Sequence, residues 1–406
     1  MTILMISHYA GAPQYGMEFR SYYMAREWVN MGHRVMIVGS AFSHLRKQQP
    51  TAGKETIDGI EYLWLPARSY KGNGAKRAVS MFQFVWHVYR NLRSLVKLNP
   101  DVVIASSVYT FDIYPCHRIA RKCHARLVYE VHDLWPLSPM VIGNLSRWHP
   151  FIWLLQRGEN YAYRHCDMVV SILDKAFPHM QRHGLSLDRF CCIPNGFRQE
   201  EWTESNNATL PAEHTALLDR LKEQGRTIVG FAGGHTQSTA MQILVEAARI
   251  LHSRNDLAFV LVGQGPQKEE LIALAKEYQL DNIHFLPPIE KQAIPTLLDR
   301  FDICYAGGVH SILHQYGTSF NKITDYMVAG KPIVNSVDEP DSLIERVGCG
   351  LQVEAENPDK VAMAVEKLAN MSAKERTTMG ALGHNYAIQN LEYNTLAQRF
   401  IDAVSR

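Results

Sequence analysis

Two doubly wound, parallel-sheet α/β domains are what this sequence predicts, on three observations. The chain has 406 residues, more than one ordinary hydrophobic core takes up. Short β-branched or apolar runs alternate with amphipathic, helix-length stretches from end to end, the pattern of βαβ units whose sheets are covered on both faces. These runs fall into two blocks, parted by a Pro-Asn-Gly turn and a polar stretch.

In chain order, the first block reads TILMIS, RVMIVGS, DVVIAS, RLVYEV, DMVVSI and FCCIP, and the second reads TIVGFAGG, AFVLVGQG, IHFLP, DICYAGG, PIVNS and GLQV. The turn Pro194-Asn195-Gly196 and the polar TESNNATLPAEH stand between them, which predicts an N-terminal domain of residues 1–195 and a C-terminal domain of residues 196–385. Residues 386–406 read as a closing stretch whose helix has no strand after it and is expected to pack back on the N-terminal domain. Ligands of paired sheets of this kind lie beyond the carboxyl ends of the strands. Site residues are therefore sought at strand ends and helix starts.

Hydrophobic residues make up 46% and charged residues 20%, the balance of a soluble globular protein. No apolar run approaches the roughly 18 residues of a membrane span, and the opening MTILMISHYAG lacks the basic region of a secretory signal, so a cytoplasmic location is expected. Seven cysteines without a CxxC or a regular ladder encode neither a disulfide framework nor a structural zinc site. No Asp-x-Asp pair ends a strand, and no His, Cys and carboxylate cluster is seen at ligand spacing, so no metal is expected. The formal net charge of +2 conceals an asymmetry: residues 1–200 hold 24 Lys+Arg against 14 Asp+Glu, and residues 201–406 hold 18 against 26. A basic half suggests an anionic partner such as nucleic acid, an acidic glycan or a membrane face.

The segment YGTSFNKITDYMVAGKPIVNS, residues 316–336, carries the densest chemistry. Thr318 or Ser319 can cap a helix that begins near Phe320, Ile323, Tyr326 and Met327 form its buried stripe, Gly330 closes it and Pro332 prevents continuation. Free N–H groups at the start, around Phe320 and Asn321, together with the positive dipole end, suit a phosphate that Gly317 lets approach closely. Lys322 opposes the dipole unless two phosphates rest there, and Asp325, further along, can accept hydrogen bonds from ribose hydroxyls. The expected ligand is a nucleoside diphosphate, although on pattern alone a capped helix with a solvent-facing Lys and Asp reads equally well.

Gly263-Gln264-Gly265 follows a buried strand and fits a nucleobase laid against the backbone, while a tight turn is the commoner meaning of such a pair. The dinucleotide fingerprint GxGxxG is absent, which disfavours nicotinamide cofactors. In the first half a loop from His8 to Gly16 leads into a helix from about Met17, so Gly16 is expected to offer donors to the same phosphates from the opposite wall. Glu18 and Arg20 in that first turn are read as facing the ligand, against the blander reading of two solvated charges. LVYEVHDLWPLSP ends a strand on Glu130, His132 and Asp133, with Trp135 beyond. Of these, Glu18 and His132 are the catalytic candidates, and Arg20, Asp133 and Trp135 the acceptor-side ones.

Taken together, GMEFRSYYMAREWVNMGHRVMIV with SHLR, VYEVHDLWP, CDMVVSI, IPNGF, VLVGQGPQKEEL and GTSFNKITDYMVAGKPIV resemble, in order and spacing, the family 4 glycosyltransferases of the GT-B fold. Within them the chain is similar to the bacterial O-antigen and capsule sugar transferases of fucosamine type. The resemblance implies two Rossmann-like domains and a nucleotide-sugar donor, first of all a UDP-sugar, held mainly by the C-terminal one. It also implies a lipid-linked glycan acceptor held by the N-terminal domain, metal independence, no separate cofactor, no nucleic-acid partner, and retention of anomeric configuration. Many members hold the donor with two Glu eight positions apart. The second matches Asp325 and the first matches Gly317, which has no side chain. An Arg and a Lys usual in the loop after the first C-terminal strand are missing from GFAGGHTQSTAMQ, so Lys322 is expected to take over that charge, with Gly233, Gly234 and His235.

KGNGAKRAVSMFQFVWHVYRNLRSLVK, residues 71–97, places Phe82, Val85, Tyr89, Leu92 and Val96 at steps of three and four, with Arg90, Arg93 and Lys97 on another flank. With Lys71, Lys76, Arg77 and the aromatic RWHPFIWLLQR, this suggests peripheral attachment to an anionic membrane. A nucleotide-sugar epimerase of the same fold and a non-catalytic sugar-nucleotide-binding subunit of a polysaccharide assembly complex remain the alternative readings.

Overall fold

The computed structural model describes residues 1–16, 19–70, 72, 74–204 and 208–405. Its strands are β1 (Thr2–Ile6), β2 (Arg34–Ser40), β3 (Gly53–Ile57), β4 (Ile60–Leu65), β5 (Val102–Ala105), β6 (Arg126–Val131), β7 (Met168–Ser171), β8 (Phe190–Cys192), β9 (Thr227–Ala232), β10 (Leu257–Val262), β11 (Ile283–Leu286), β12 (Ile303–Gly307), β13 (Ile333–Ser336) and β14 (Gly350–Val353). The helices up to the middle of the chain are α1 (Phe19–Asn30), α2 (Ala75–Arg90), α3 (Leu92–Val96), α4 (Ile113–Cys123), α5 (Leu137–Val141), α6 (Pro150–His165), α7 (Phe177–Arg182) and α8 (Gln199–Glu204). The rest are α9 (Ala212–Glu223), α10 (Met241–Ile250), α11 (Lys268–Glu277), α12 (Ile294–Asp299), α13 (Asn321–Val328), α14 (Leu343–Val347), α15 (Pro358–Ala369), α16 (Ala373–Asn390) and α17 (Tyr393–Ser405).

The chain divides into two units, one of Met1–Asn195, Tyr316–Thr318 and Tyr393–Arg406, the other of Gly196–Gln315 and Ser319–Glu392. Among the described residues the first holds an eight-stranded sheet in the order β3-β4-β2-β1-β5-β6-β7-β8, parallel except where β3 meets β4. The second holds a six-stranded parallel sheet in the order β11-β10-β9-β12-β13-β14. Each sheet is covered on both faces by its own apolar cluster, the doubly wound α/β arrangement. The twelve runs read from the sequence are all strands. The hairpin of β3 and β4 is additional.

The closing helix α17 lies within the first unit, where Phe400 packs 4.9 Å from the Trp28 ring and the Trp28 indole N–H donates to Ala397 O at 3.3 Å. Residues 386–392, assigned to the closing stretch from sequence, stay with the second unit. The stretch 71–97 is corrected on two points. It forms two helices that part at Asn91, and the stripe turned to the core is Met81, Phe84, Val88 and Leu95, leaving Phe82 44% exposed. Two apolar stripes at helical spacing exist in that segment, and the core took the neighbouring one.

Candidate functional site

In the second unit α13 follows β12 and precedes β13, so its amino end lies near the carboxyl edge of the sheet. Its N-cap is Phe320, which has no oxygen to offer, one residue beyond Ser319 and two beyond Thr318, the caps expected from sequence. Gly330 N–H to Met327 O (2.9 Å) and Lys331 N–H to Tyr326 O (3.1 Å) close the other end in a Schellman motif.

Lys322 is half-buried with its Nζ 4.5 Å above the Phe231 ring, and among the described residues it makes no hydrogen bond or ion pair. Burial lowers its pKa to about 8. Asp325, three residues on and so on a neighbouring part of the helix surface, has no hydrogen-bond donor among the described residues. Burial pushes its pKa up to about 7, Lys291 acting against this and Glu201 with it. The Gly233–Gly234 turn after β9 lies beside the Lys322 ammonium, which is 3.7 Å from where a Cβ on Gly233 would stand. Gly233 N–H is committed to Val262 O at 3.0 Å, so only the N–H of Gly234 remains for a ligand. An unpaired ammonium and an unpaired carboxylate, both half out of water, are costly unless a ligand completes them.

Gly263 and Gly265 have a packing reason of their own. A Cβ on Gly263 would stand 1.9 Å from Gly233 O, and one on Gly265 2.2 Å from His235 O, so the two loops touch backbone to backbone. His235 is fully buried, neither ring nitrogen has a partner among the described residues, and burial, then Lys268 and Lys322, lower its pKa to about 4. Its backbone N–H, beside the Gly233 and Gly234 donors expected to help Lys322, donates to Gln264 O at 3.0 Å. Gly317, which groups with the first unit, has φ +93°, and a Cβ there would stand 2.2 Å from Asp174 Oδ1. The left-handed backbone disfavours any side chain here, a Glu included, whether or not the Asp174 carboxylate turns aside.

In the first unit the strand ends of β5 and β6 assemble one network. Glu130 is 1% exposed and receives Arg20 Nε at 3.1 Å and the Ser106 hydroxyl at 2.6 Å. His132 Nε2 lies 3.3 Å from Glu130 Oε2 and 3.0 Å from Ser106 Oγ. Burial by itself would raise the Glu130 pKa, but Arg20 and then His132 hold the carboxyl well below the usual range. Arg20 also donates to Pro194 O (2.6 Å) and Ile193 O (2.8 Å). Its placement on the acceptor side is thereby corrected: the guanidinium is buried and holds β6 to the loop after β8. His132, with 23% of its side chain exposed, presents the outer face of the network.

Asp133 Oδ1 accepts from Leu134 N–H at 2.9 Å and from the Ser138 hydroxyl, and burial raises its pKa. Trp135 is half-buried under the Arg77 guanidinium, 5.9 Å from its centroid. Gly16 N–H donates to Ala12 O and Pro13 O, both at 3.2 Å, so it is not a free phosphate donor. Met17, Glu18 and Lys71 lie outside the described residues.

One cluster was missed in the sequence. Glu159 on α6 meets His179 on α7 and His183 just after it, each offering a ligand atom within 4.8 Å of the others. The i, i+4 pair His179-x-x-x-His183 was the signal; Glu159 lies twenty residues away on another helix, which is why no local spacing revealed the triad.

Two parallel-sheet α/β units of this kind define the GT-B class of glycosyltransferases. Residues 15–201 match the model of Glycosyltransferase Family 4 and residues 226–371 that of Glycosyl transferases group 1. The chain belongs to the family 4 glycosyltransferases. It is 22% identical over 344 residues to WcaI of Escherichia coli (strain K12), assigned as a colanic acid biosynthesis glycosyl transferase, covering 81% of this chain and 80% of that one. In fold it is similar to HepE of Anabaena, solved with UDP-glucose (16% identity, TM-score 0.68, 100% and 99% covered). It is likewise similar to WaaG, a glycosyltransferase involved in lipopolysaccharide biosynthesis (14% identity, TM-score 0.67, 100% of both chains).

Proposed function

We propose that this enzyme moves a sugar from a nucleoside-diphosphate donor, a UDP-sugar, to a lipid-linked glycan in the synthesis of a bacterial surface polysaccharide, with retention of anomeric configuration. The observation that carries the donor half is the half-buried ammonium of Lys322 in the first turn of α13, with the Asp325 carboxylate three residues on, neither having a hydrogen-bond or ion-pair partner among the described residues. The first suits a diphosphate and the second a ribose diol. The UDP-glucose held by HepE and the polysaccharide pathways in which WcaI and WaaG take part support the reading.

Catalysis then rests on stabilising the departing diphosphate with Lys322, the helix start and Gly234 N–H, and on orienting the sugar and acceptor. His132, held at Nε2 by Ser106 and Glu130, is the candidate to bond a sugar hydroxyl. The test is nucleotide release from a panel of UDP- and GDP-sugars with and without bacterial lipid extract. Release of UDP that depends on the lipid is expected. Lipid-independent conversion of the donor sugar would favour an epimerase, and binding without turnover a non-catalytic subunit; either outcome overturns the proposal.

Peripheral attachment to an anionic bilayer is part of the same proposal. Among the described residues no helix is long and apolar enough to cross a membrane. Val79, Phe82 and Trp86 on α2, and Trp148 and Trp153 at and after the start of α6, are exposed by 44–78%. Phe82 reaches Phe111 and Phe151 at 4.8 and 6.5 Å, which joins the two faces. Arg90, Arg147 and Arg157 lie over Trp86, Trp148 and Trp153. Aromatic rings with cations beside them suit the headgroup level of an anionic surface. Arg77 is not part of this face, because its Nε donates to Tyr9 OH at 3.1 Å. Flotation with anionic vesicles at low salt is expected to carry the protein, and a Trp86→Ser, Trp153→Ser variant several-fold less; a wild type that stays at the bottom removes the attachment.

A further inference from the structure

Gln156, Glu159, Asn160 and Tyr163 lie along α6 and face His179 and His183 at α7. Glu159 is 1% exposed, and its Oε1 lies 2.8 Å from His179 Nε2 and accepts from Tyr163 OH at 3.1 Å. Gln156 Nε2 is 2.6 Å from Glu159 Oε2, 2.9 Å from Asn160 Oδ1 and 3.1 Å from His183 Nδ1, while His183 Nδ1 is also 3.0 Å from Asn160 Oδ1.

These contacts cannot all be hydrogen bonds. If His183 Nδ1 carries no proton, two hydrogens on Gln156 face three acceptors, and two lone pairs meet between His183 and Asn160. If Nδ1 is protonated, it serves Asn160 but opposes the Gln156 N–H groups. Turning the Asn160 amide over transfers the conflict to the Gln156–Asn160 pair, and turning Gln156 sets its oxygen against the Glu159 carboxylate. Every assignment leaves one contact of like with like. With Nδ1 unprotonated, as in a ligating ring, one acceptor of the cluster has no proton to meet it, and a cation can take that place.

We propose that Glu159, His179 and His183 bind one divalent transition-metal ion of the Zn2+ class, tying α6 to α7. Two imidazoles and a carboxylate are a zinc set, and histidines at i, i+4 present two nitrogens to one side. Tetrahedral bonds of about 2.0–2.1 Å place ligand atoms about 3.4 Å apart. The present atoms lie within 4.8 Å of one another, so binding would draw them together by about 1.4 Å at most. Asn160 Oδ1 stands beside His183 as a further oxygen, and Tyr163 OH orients Glu159 from behind, as outer partners of metal ligands do. The site lies wholly in the first unit, where the Tyr316 ring packs edge-on to His179 at 5.5 Å, and the ion's role there is structural.

The test uses the full chain, stripped with EDTA and desalted, titrated with ZnCl2 by calorimetry and followed by thermal melting. One equivalent of Zn2+ should bind and raise Tm by several degrees. His183→Gln replaces a half-buried ring and should fold, yet bind Zn2+ more weakly by over the ten- to hundredfold typical of outer-partner changes. His252→Gln, at an exposed histidine paired with Asp281, should bind as the wild type does. Binding absent in the wild type, or undiminished in His183→Gln, overturns the proposal. Co2+ in the wild type gives a readout independent of any variant: intense visible bands of tetrahedral coordination are expected, and their absence counts against the site.

Discussion

Arg20→Met should destabilise the first unit by about 3–5 kcal/mol, because it leaves the Glu130 carboxylate buried without its cation. It also removes the donors to Ile193 O and Pro194 O, which hold the loop after β8 in place. Urea denaturation measures the loss. Arg20→Met with Glu130→Gln together should recover a large part of it, since the remaining groups are neutral. The sign of the pH dependence follows from Glu130, whose folded-state pKa lies below its unfolded value of about 4.3. The pair's contribution is therefore full above that value and is lost as pH falls through the lower, folded-state pKa, so the gap between wild type and variant should close only in acid. An unchanged urea midpoint at pH 7 would show the network to be dispensable.

Lys322→Ala should weaken UDP binding by about 1.5–3 kcal/mol, roughly 10- to 150-fold, the worth of a charge-assisted contact. Its pH dependence is the more discriminating result. Burial sets the free ammonium at a pKa of about 8, and a bound diphosphate favours its charged form and raises that value. Wild-type affinity should then fall by up to about tenfold per unit as pH rises above 8, while the alanine variant shows no such fall between pH 8 and 9.5. Calorimetry with UDP reads both. Equal affinities, or the same slope in both proteins, would place the diphosphate elsewhere.

Periodicity sufficed for the twelve parallel strands, because a strand buried on both faces has an unbroken apolar run that no exposed element imitates. The β3–β4 hairpin was legible too, through Asp58-Gly59, both at positive φ between KETI and IEYLWL. It went unread because β3, at the sheet edge, is polar and mostly exposed. The helix that carries Lys322 and Asp325 was legible as a helix, since its apolar stripe, closing glycine and following proline are local properties. Arg20 was placed wrongly because its partners are distant, with Glu130 110 residues away and the Ile193 and Pro194 carbonyls further still. No first-turn pattern distinguishes a solvated Arg from one buried in such a pair.

By itself, then, the amino-acid order determined the two sheets, the helix that carries Lys322 and Asp325, and the family, all of which follow from short-range periodicity and motif order. Tertiary structure decided which apolar stripe of α2 meets the core, that His235 is buried, that Gly317 takes a left-handed backbone, and that Glu159 lies beside His179 on α7 and His183 just after it. Each of these depends on desolvation or on atoms from remote parts of the chain meeting within a few ångströms, and spacing along a sequence does not record either.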